Sequence, residues 1–418
     1  MKILIVGGGG REHAIIRKLK QSPEVDSLIC APGNAGIATD AKCFKVSATD
    51  IPKMVRLALD EKVDYVVVTP DDPLALGMVD ALNSLGIATF GPTQAAARIE
   101  SSKIFSKRLM EKCGVLTARA GIFSDAVSAK IYIDEIKAPV VIKADGLAKG
   151  KGVLIANSIE EAYTAVDSMM SDKVFGNAGQ SILIEEFLIG TEISVMCFVD
   201  GKNAIMMPSA QDHKRRFDGD LGKNTGGMGA FSPSPMFTPE LKIKVLNEVI
   251  LPIVREMEAM GCPFSGVLYA GLMITSRGVY VLEFNARFGD PETQVVLPLI
   301  ENDLLELMMA SSNGTIDKIG LKIKDGAAAT VAIVSDGYPD EYELNKPITI
   351  DEKMPKERLI HAGTKMQGNI LCTGGGRVFN ILGFGATIED AVKDAYSLVP
   401  LVSFCGADYR RDIGGRRV

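Results

Sequence analysis

Glu283, Asn285 and Arg287 alternate along Glu283-Phe284-Asn285-Ala286-Arg287, where the apolar run Gly278-Val279-Tyr280-Val281-Leu282 ends. Alternate side chains of an extended segment share a face, so a carboxylate, an amide and a guanidinium are presented together. The carboxylate and amide oxygens suit a hard cation such as Mg²⁺, which takes oxygen ligands and shares them with phosphates. The guanidinium can hold a carboxylate or a phosphoryl oxygen in a two-pronged fork. Pro291 stiffens the turn that follows and fixes Asp290 and Glu292. The plain alternative is a strand running into an ordinary polar loop. The density of charge directly after an apolar strand favours a site.

Other segments offer matching chemistry. Lys143-Ala144-Asp145-Gly146-Leu147-Ala148-Lys149-Gly150-Lys151-Gly152 reads as strand and glycine loop, with a further strand from Val153. A phosphate loop of the G-x-x-x-x-G-K-[ST] kind would need Ser or Thr after its Lys and a helix next, and neither follows here. Gly146, Gly150 and Gly152 still permit a lid to fold over phosphates. Lys149 and Lys151 bring point charge, and Lys143, on the strand, is the more rigidly placed lysine. A solvated hairpin is the alternative. Glu185-Glu186-Phe187-Leu188-Ile189-Gly190-Thr191-Glu192 links two strands. Backbone groups there can read a purine edge, Phe187 and Leu188 can line an apolar slot, and Glu192 can accept ribose hydroxyls. Alone, the same residues read as a routine connection.

Gly7-Gly8-Gly9-Gly10-Arg11-Glu12-His13 lies between a strand and a helix, where amide groups can approach an anion. It departs from the dinucleotide fingerprint at Glu12 and His13. The second strand also ends in Cys30-Ala31-Pro32 without a ribose-binding acid, so a nicotinamide cofactor is not expected. A phosphate on a smaller ligand and a turn needed only for packing both remain open. Pro32-Gly33-Asn34-Ala35-Gly36 and Thr69-Pro70-Asp71-Asp72-Pro73 follow two further strands. Ligands of open parallel sheets bind beyond the strands' carboxyl ends, so the three loops point to one crevice. Gln211-Asp212-His213-Lys214-Arg215-Arg216 and Asn224-Thr225-Gly226-Gly227-Met228-Gly229-Ala230 read as an ordered pocket wall or a solvated basic loop.

The elements that must position these residues fall into three units. Strands at Lys2 to Val6, Leu28 to Ala31, Tyr65 to Thr69 and Ile87 to Phe90, separated by helical stretches such as Arg11 to Lys20, predict a parallel α/β sheet over 1–100. A basic helix, Ser102 to Lys112, opens the second unit, 101–324, with a lid lobe over about 119–188. Its strands are expected at Ala120 to Phe123, Val140 to Lys143, Val153 to Ala156, Ile182 to Glu185 and Glu192 to Val199. Ser158-Ile159-Glu160-Glu161 reads as a capping box. Asp212 to Pro235 reads as long and irregular. Glu240 to Met260 reads as helix, and Val267 to Thr275 pairs with Val279 to Asn285 as a hairpin. The third unit, 325–418, carries a strand at Ala327 to Val334, a turn at Gly374 to Gly376 and a helix from Thr387 to about Val399.

The 418 residues are 47% hydrophobic, enough for a sizeable core, and the net charge of −6 speaks against a nucleic-acid binder. Seven cysteines form no CxxC pair and read as free thiols of a reducing compartment, and three histidines leave little for a histidine metal site. Gly7 to Gly10 interrupts the apolar start too early for a signal or a membrane span, so a soluble cytoplasmic protein is expected.

Taken in order, these motifs resemble the ATP-grasp superfamily and, within it, the glycinamide ribonucleotide synthetase family of purine biosynthesis. The resemblance extends from Gly9-Gly10-Arg11-Glu12-His13 to Tyr409-Arg410-Arg411-Asp412-Ile413-Gly414. Its most specific pieces are Arg287-Phe288-Gly289-Asp290-Pro291-Glu292, Asn224-Thr225-Gly226-Gly227-Met228-Gly229 and Gln211-Asp212-His213-Lys214. It implies an α/β ATP-grasp fold: a Rossmann-like N-terminal domain with a parallel sheet, a two-lobed ATP-grasp region and a small C-terminal α+β domain. It implies a ligase that joins glycine to 5-phosphoribosylamine through glycyl phosphate, using ATP with Mg²⁺ or Mn²⁺. By the same resemblance Glu283 and Asn285 hold metal, Lys103 and Lys143 hold phosphates, and Gly146 to Gly152 form a mobile loop. Glu185, Glu186, Phe187, Leu188 and Glu192 form the nucleotide pocket. Arg287, Asp212 and the turn of Asp290, Pro291 and Glu292 lie where glycine and the acyl phosphate belong, with Arg287 and Asp290 expected to be catalytic. Asn224, Gly226, Gly227 and Met228 line the substrate side, and Gly9, Gly10, Arg11 and Asn34 face phosphoribosylamine. Asp71 stands where the family commonly has Glu, a methylene longer, so a ribose contact there has to shift or recruit water. Val267 to Thr275 lacks the acid that many ATP-grasp enzymes use as a further metal ligand, so phosphate and water must supply the rest. No fused downstream enzyme is expected, since the chain ends soon after Gly414. Rival readings are another ATP-grasp ligase of the pathway, without the Arg287-to-Glu292 run, and a non-catalytic nucleotide-binding module.

Overall fold

The structure is a computed structural model that describes residues 1–147, 152–172 and 179–415. Lys149, Gly150 and Lys151 of the glycine loop therefore lie outside the described residues.

Five parallel strands form the N-terminal sheet in the order Lys42–Cys43, Ser27–Pro32, Lys2–Gly7, Tyr65–Val68, Ala88–Phe90. Continuous apolar runs make such strands because both faces are covered. Leu4 and Val6 enter one core, and Ile3 and Ile5 another. Strand order reverses between Lys2–Gly7 and its two neighbours, so a crevice opens at their carboxyl ends. The first loop is tight there. A Cβ on Gly8 would collide with the Gly33 carbonyl.

The lid lobe is an antiparallel sheet in the order Ala120–Phe123, Ile182–Glu186, Val140–Ala144, Val153–Ala156. Ala129 and Ile133 of the helix Ala126–Ile136 and Ala162 and Val166 of the helix Ile159–Val166 fill its core. The capping box expected at Ser158 is half formed. Ser158 Oγ accepts from Glu161 N at 3.2 Å, but Glu161 Oε2 accepts from Asn157 N, one residue too early. The central sheet runs Ala204–Met206, Thr191–Asp200, Ser265–Thr275, Gly278–Asn285, all antiparallel, and includes the expected hairpin. The helical stretch after Thr238 contains a widened turn at Leu246–Ile250, just before Pro252, which has no N–H to give the ladder.

The segment expected to be irregular, Asp212 to Pro235, is largely ordered as strands. Gln211–Asp212 and Gly229–Ser232 join the C-terminal sheet, whose order continues through Ala327–Ser335, Arg377–Gly385 and Leu359–His361. Between them Arg215–Phe217 and Leu221–Asn224 form a hairpin. These strands are short and rich in glycine and charge, so period-two alternation never develops in the sequence. They are held from outside instead. Arg410 is buried, ion-pairs with Asp412 at 2.7 Å and Asp220 at 2.8 Å, and donates to Arg215 O at 3.0 Å. Ser194 and Ala210 exchange backbone hydrogen bonds, which sews the central sheet to the C-terminal one directly before Asp212. Among the described residues no helix is long and apolar enough to cross a membrane.

Candidate active site

A β-bulge builds the centre of the cleft. Gly271 pairs with Glu283 and Leu272 with Val281, which leaves Leu282 as an extra residue. Before the bulge Val279 and Val281 face the core and Tyr280 and Leu282 face the lid side. The extra residue shifts the alternation by one. Phe284 therefore enters the core, and Glu283 and Asn285 turn to the cleft. The bulge also releases the Leu282 carbonyl, which accepts from Lys143 Nζ at 2.9 Å.

Lys143 is held by a second partner. Its ammonium lies 2.7 Å from Glu185 Oε2, while Lys107 Nζ lies 2.6 Å from Oε1 of the same carboxylate. Lys107 further donates to Thr117 Oγ1 at 2.8 Å and Ala118 O at 2.9 Å. Burial works against the Glu185 carboxylate, but Lys143 and Lys107 outweigh it and hold its pKa below the usual range. Glu185, expected at the nucleotide, thus spends both oxygens on lysines. Lys103 starts the helix Lys103–Lys112 and donates to Gly146 O at 3.2 Å. Asp145 ties the same loop to that helix by accepting from Ser102 Oγ and Ile104 N, each at 3.1 Å.

Beside Lys143 an apolar slot of about 220 Å³ opens between the lid and central sheets. Val141, Val153 and Ile155 form one wall and Met273 and Leu282 the other; Phe187, Leu188 and Glu192 complete it. Glu186 also borders the slot, and its carboxylate accepts from Arg119 N at 3.0 Å. Glu192 meets Lys214 Nζ at 3.0 Å. Asn224 lines the slot's mouth.

Glu283 borders this slot and also a polar cavity of about 270 Å³ on its far side. There Arg287 Nη2 lies 2.8 Å from Glu100 Oε1, whose other oxygen accepts from Ala286 N at 2.8 Å. Arg287 Nε is buried with no partner among the described residues. Asp290 lies 2.6 Å from Arg377 Nη2 and accepts from Gln294 Nε2 at 2.6 Å. Arg377 comes from the C-terminal sheet and also donates to the Gly226 and Gly227 carbonyls. Glu292 accepts from the Tyr269 hydroxyl at 3.0 Å and from Ser194 Oγ at 3.1 Å. Asp71 and Arg11 close the N-terminal side of the cavity. Arg11 Nε lies 2.6 Å from Glu12, and its Nη1 donates to Phe288 O at 3.1 Å.

Electrostatically the cleft is a cationic ring around partly neutralised acids. Burial raises the Glu283 carboxyl, but Lys214, Lys143, Lys103 and Arg287 outweigh it and hold it below its usual value. Asn285, whose amide oxygen accepts from Arg287 Nη2 at 3.4 Å, lies beside it on the polar-cavity side, and the two oxygens make a hard donor pair suited to a divalent cation shared with phosphates. Asp212 goes the other way. Burial, with Glu292 and Glu192 near, pushes it up to about 7 against the pull of Lys214.

The expected residues do not all reach the cleft. Asn34 is spent on the fold: its Nδ2 donates to Gly8 O at 2.9 Å and His361 O at 3.0 Å, and its Oδ1 accepts from Gly36 N and Ile37 N. Gly10 admits no Cβ because Asn380 and Gln294 pack against it, and Gly9 N donates to Glu12. Met228 is a core side chain of the C-terminal unit with both backbone groups bonded, so it is not part of the cleft wall. Gly227 and Pro291 stack closely behind Asp290. Conversely, Glu100, Lys107, Lys214, Tyr269 and Arg377 enter the site without having been singled out. Lys214 stood inside a quoted motif. Lys107 sat on the basic helix Ser102 to Lys112 with no role assigned, Glu100 lay just before that helix, and nothing local marks Arg377.

Known proteins match this arrangement along its length. Family models described as the N, ATP-grasp (A) and C domains of phosphoribosylglycinamide synthetase match residues 1–100, 101–293 and 328–416. The phosphoribosylamine–glycine ligase of Rhizobium meliloti is 46% identical over 419 residues, covering 100% of this chain and 99% of its own. The crystal structure of phosphoribosylamine–glycine ligase from Thermotoga maritima superposes with a TM-score of 0.85 at 34% identity, covering 99% of this chain and 100% of that one. The biotin carboxylase domain of 2-oxoglutarate carboxylase from Hydrogenobacter thermophilus shares the fold at a TM-score of 0.76, with 19% identity over 97% of this chain and 91% of that one. Full-length identity sets the chain apart from that wider group of shared folds, and it belongs to the phosphoribosylglycinamide synthetase family.

Proposed function

We propose that this protein joins glycine to 5-phosphoribosylamine at the expense of ATP, through glycyl phosphate, giving glycinamide ribonucleotide, ADP and phosphate. The observation that carries this reading is the continuity of two cavities across Glu283: an apolar slot with buried lysines on one side, and a polar cavity with Arg287 and the Asp290 turn on the other. Acyl activation needs a nucleotide's terminal phosphate to meet a carboxylate in a site poor in water, and no enzyme nucleophile.

In this reading the slot takes the adenine, Glu192 the ribose, and Lys103 and Lys143 the phosphates. Glu283 and Asn285 would hold Mg²⁺ or Mn²⁺, which neutralises phosphate charge when bound. Arg287, with its unpaired Nε, orients the glycine carboxylate. Asp290 does not meet substrate freely, because Arg377 and Gln294 hold both its oxygens; it fixes the turn on which glycine rests. Arg11, Asp71 and Gly226 face phosphoribosylamine across the polar cavity. The lid lobe, about 119–188, closes over the nucleotide between a unit at 1–100 and one at 325–418. The free cysteines of the described chain suit a cytoplasmic setting.

The test is ADP release from Mg²⁺-ATP, with phosphoribosylamine generated in place from ribose 5-phosphate and ammonia. ADP that needs both glycine and phosphoribosylamine is expected. ATP binding without such release would move the substrates to another ligase of the superfold.

A further inference from the structure

We propose that a cavity behind the Asp290 turn is a second small-molecule site, which takes an organic anion with a flat apolar body and acts on the turn through Gln294. The cavity holds about 380 Å³, within the range of small-ligand sites, and opens where the three units meet. The helix Gly10–Leu19, the turn Leu297–Leu299 and the strand Arg377–Gly385 supply its walls. Leu297, Pro298, Leu382 and Phe384 form its apolar lining. Its cations are left short of counter-charge. Lys18 is buried, and its ammonium donates to a backbone carbonyl, Ile300 O, where a buried cation calls for an anion. Asp303, an acid near it, spends its oxygens on Ser22 Oγ at 2.6 Å and Leu305 N at 2.8 Å, and Glu301 is exposed. Lys324 borders the same cavity, and burial followed by the charge of Lys324 lowers the Lys18 pKa. Among the described residues neither ammonium has a carboxylate within ion-pair distance. Arg17 is already paired with Asp40 at 3.2 Å, and the cavity's two acids, Asp325 and Glu357, are exposed. An anion shared by Lys18 and Lys324 supplies the missing counter-charge, and its apolar body covers the apolar lining.

Gln294 joins this cavity to the site. It is fully buried, borders the cavity, and donates from Nε2 to Asp290 Oδ1 at 2.6 Å and to Asn380 Oδ1 at 3.4 Å. Its Oε1 has no partner among the described residues, so only one end of the amide is anchored. A ligand packed against Gln294 restrains the side chain and, through it, the Asp290 turn. Occupancy of the cavity stands apart from the ligase reading above; its effect on the turn rests on that reading, because it is read as affinity for glycine.

The probe is indole-3-propionate, a carboxylate on a flat apolar ring system. The chain has no tryptophan, so indole fluorescence reports the probe alone. Its anisotropy is titrated with the full chain in saturating Mg²⁺-ADP, which keeps the nucleotide slot filled. A Kd of about 1 mM or tighter is expected for a ligand of this size. Lys324→Glu, at an exposed position, and Lys18→Met should each weaken binding about tenfold, as should replacing the probe by uncharged indole-3-propionamide. Saturating glycine should lower the Kd about fivefold, a coupling read without turnover, and Gln294→Leu should keep probe binding within about threefold but lose that coupling. No binding, equal binding of the amide, or native affinity in both lysine variants would overturn the site. Binding that ignores glycine would overturn its action on the turn. Probe binding as expected, with no ADP released from ATP, glycine and phosphoribosylamine, would overturn the ligase reading and leave the site in place.

Discussion

Removing the Arg377 guanidinium should damage the site from the neighbouring C-terminal unit, 87 residues along the chain from Asp290. Arg377 Nη2 lies 2.6 Å from Asp290 Oδ2, and Nη1 reaches Asp290 O at 3.2 Å as well as the Gly226 and Gly227 carbonyls. Both side chains are largely buried, at 16% and 19% exposure, so solvent screens the pair little. Arg377→Met leaves Asp290 with one donor, Gln294 Nε2. Stripping one partner from a buried pair costs about 3–5 kcal/mol, because the remaining charge is stranded. Asp290→Asn with Arg377→Met removes both charges, so the double variant should recover part of that loss. A coupling energy of about 2–3 kcal/mol in urea unfolding is expected. If the turn positions glycine as proposed, the same coupling should appear in kcat/KM as about 30- to 150-fold. Strict additivity in both assays would refute the clamp. Coupling in stability with none in kcat/KM would leave Arg377 a structural residue only.

Glu283→Ala and Arg287→Ala should each keep the native melting profile within a few degrees while removing most turnover; near-native rates in both would sink the site assignment. Glu185→Gln leaves Lys107 and Lys143 facing each other without their shared carboxylate. It should cost about 3–5 kcal/mol of stability and raise the KM for ATP, and an unchanged urea midpoint would refute the network. All three histidines should make the fold acid-sensitive. Burial lowers His13 despite Asp40; burial and Arg410 lower His213 to about 4; burial, His13 and Arg17 lower His361 to about 3. Each refuses in the fold a proton that the unfolded chain takes up below about 6.5, so their stabilisation is full above that pH and is lost on acidification toward 4. His213 and His361 each contribute about 1.4 kcal/mol per pH unit across that window, with His13 adding in the same direction, and urea midpoints equal at pH 7 and pH 5 would contradict this.

What the sequence let one read depended on whether a residue's role is local. The parallel strands were legible because Leu4, Val6, Val66 and Val68 form unbroken apolar runs, which only a doubly covered sheet uses. Glu283, Asn285 and Arg287 were legible because alternation places them on one face. Which face was not legible: strict alternation from Val279 and Val281 carries Glu283 into the core, and only the extra residue at Leu282 reverses this. Bulges leave no mark in composition. The same limit explains Met228 and Asn34. Both stand in glycine-rich segments that read as site loops, yet one packs against Val331 and Ile333 and the other saturates its amide with backbone groups. Glycine runs report that the backbone comes close to something, without saying whether it is ligand or protein.

Three of the residues hidden from the sequence are each tied to a side chain that was singled out. Lys107 is paired with Glu185, Glu100 with Arg287, and Arg377 with Asp290. Those partners are carboxylates or guanidinia buried deeply enough to need a counter-charge, and in a three-unit protein the counter-charge can come from any unit. Arg377 comes from the C-terminal sheet, which also carries Asp212 on its edge. The C-terminal unit therefore supplies the guanidinium that fixes the Asp290 turn and the strand Ala327–Ser335 that backs Gly229–Ser232. A detached 1–324 fragment would keep Glu283, Asn285, Lys143 and the pairing of Asp212 with Ala230, but lose Arg377 and the strand Ala327–Ser335 that backs Gly229–Ser232. The lysine side of the nucleotide slot and the Asp290 turn are thus fixed by different parts of the fold.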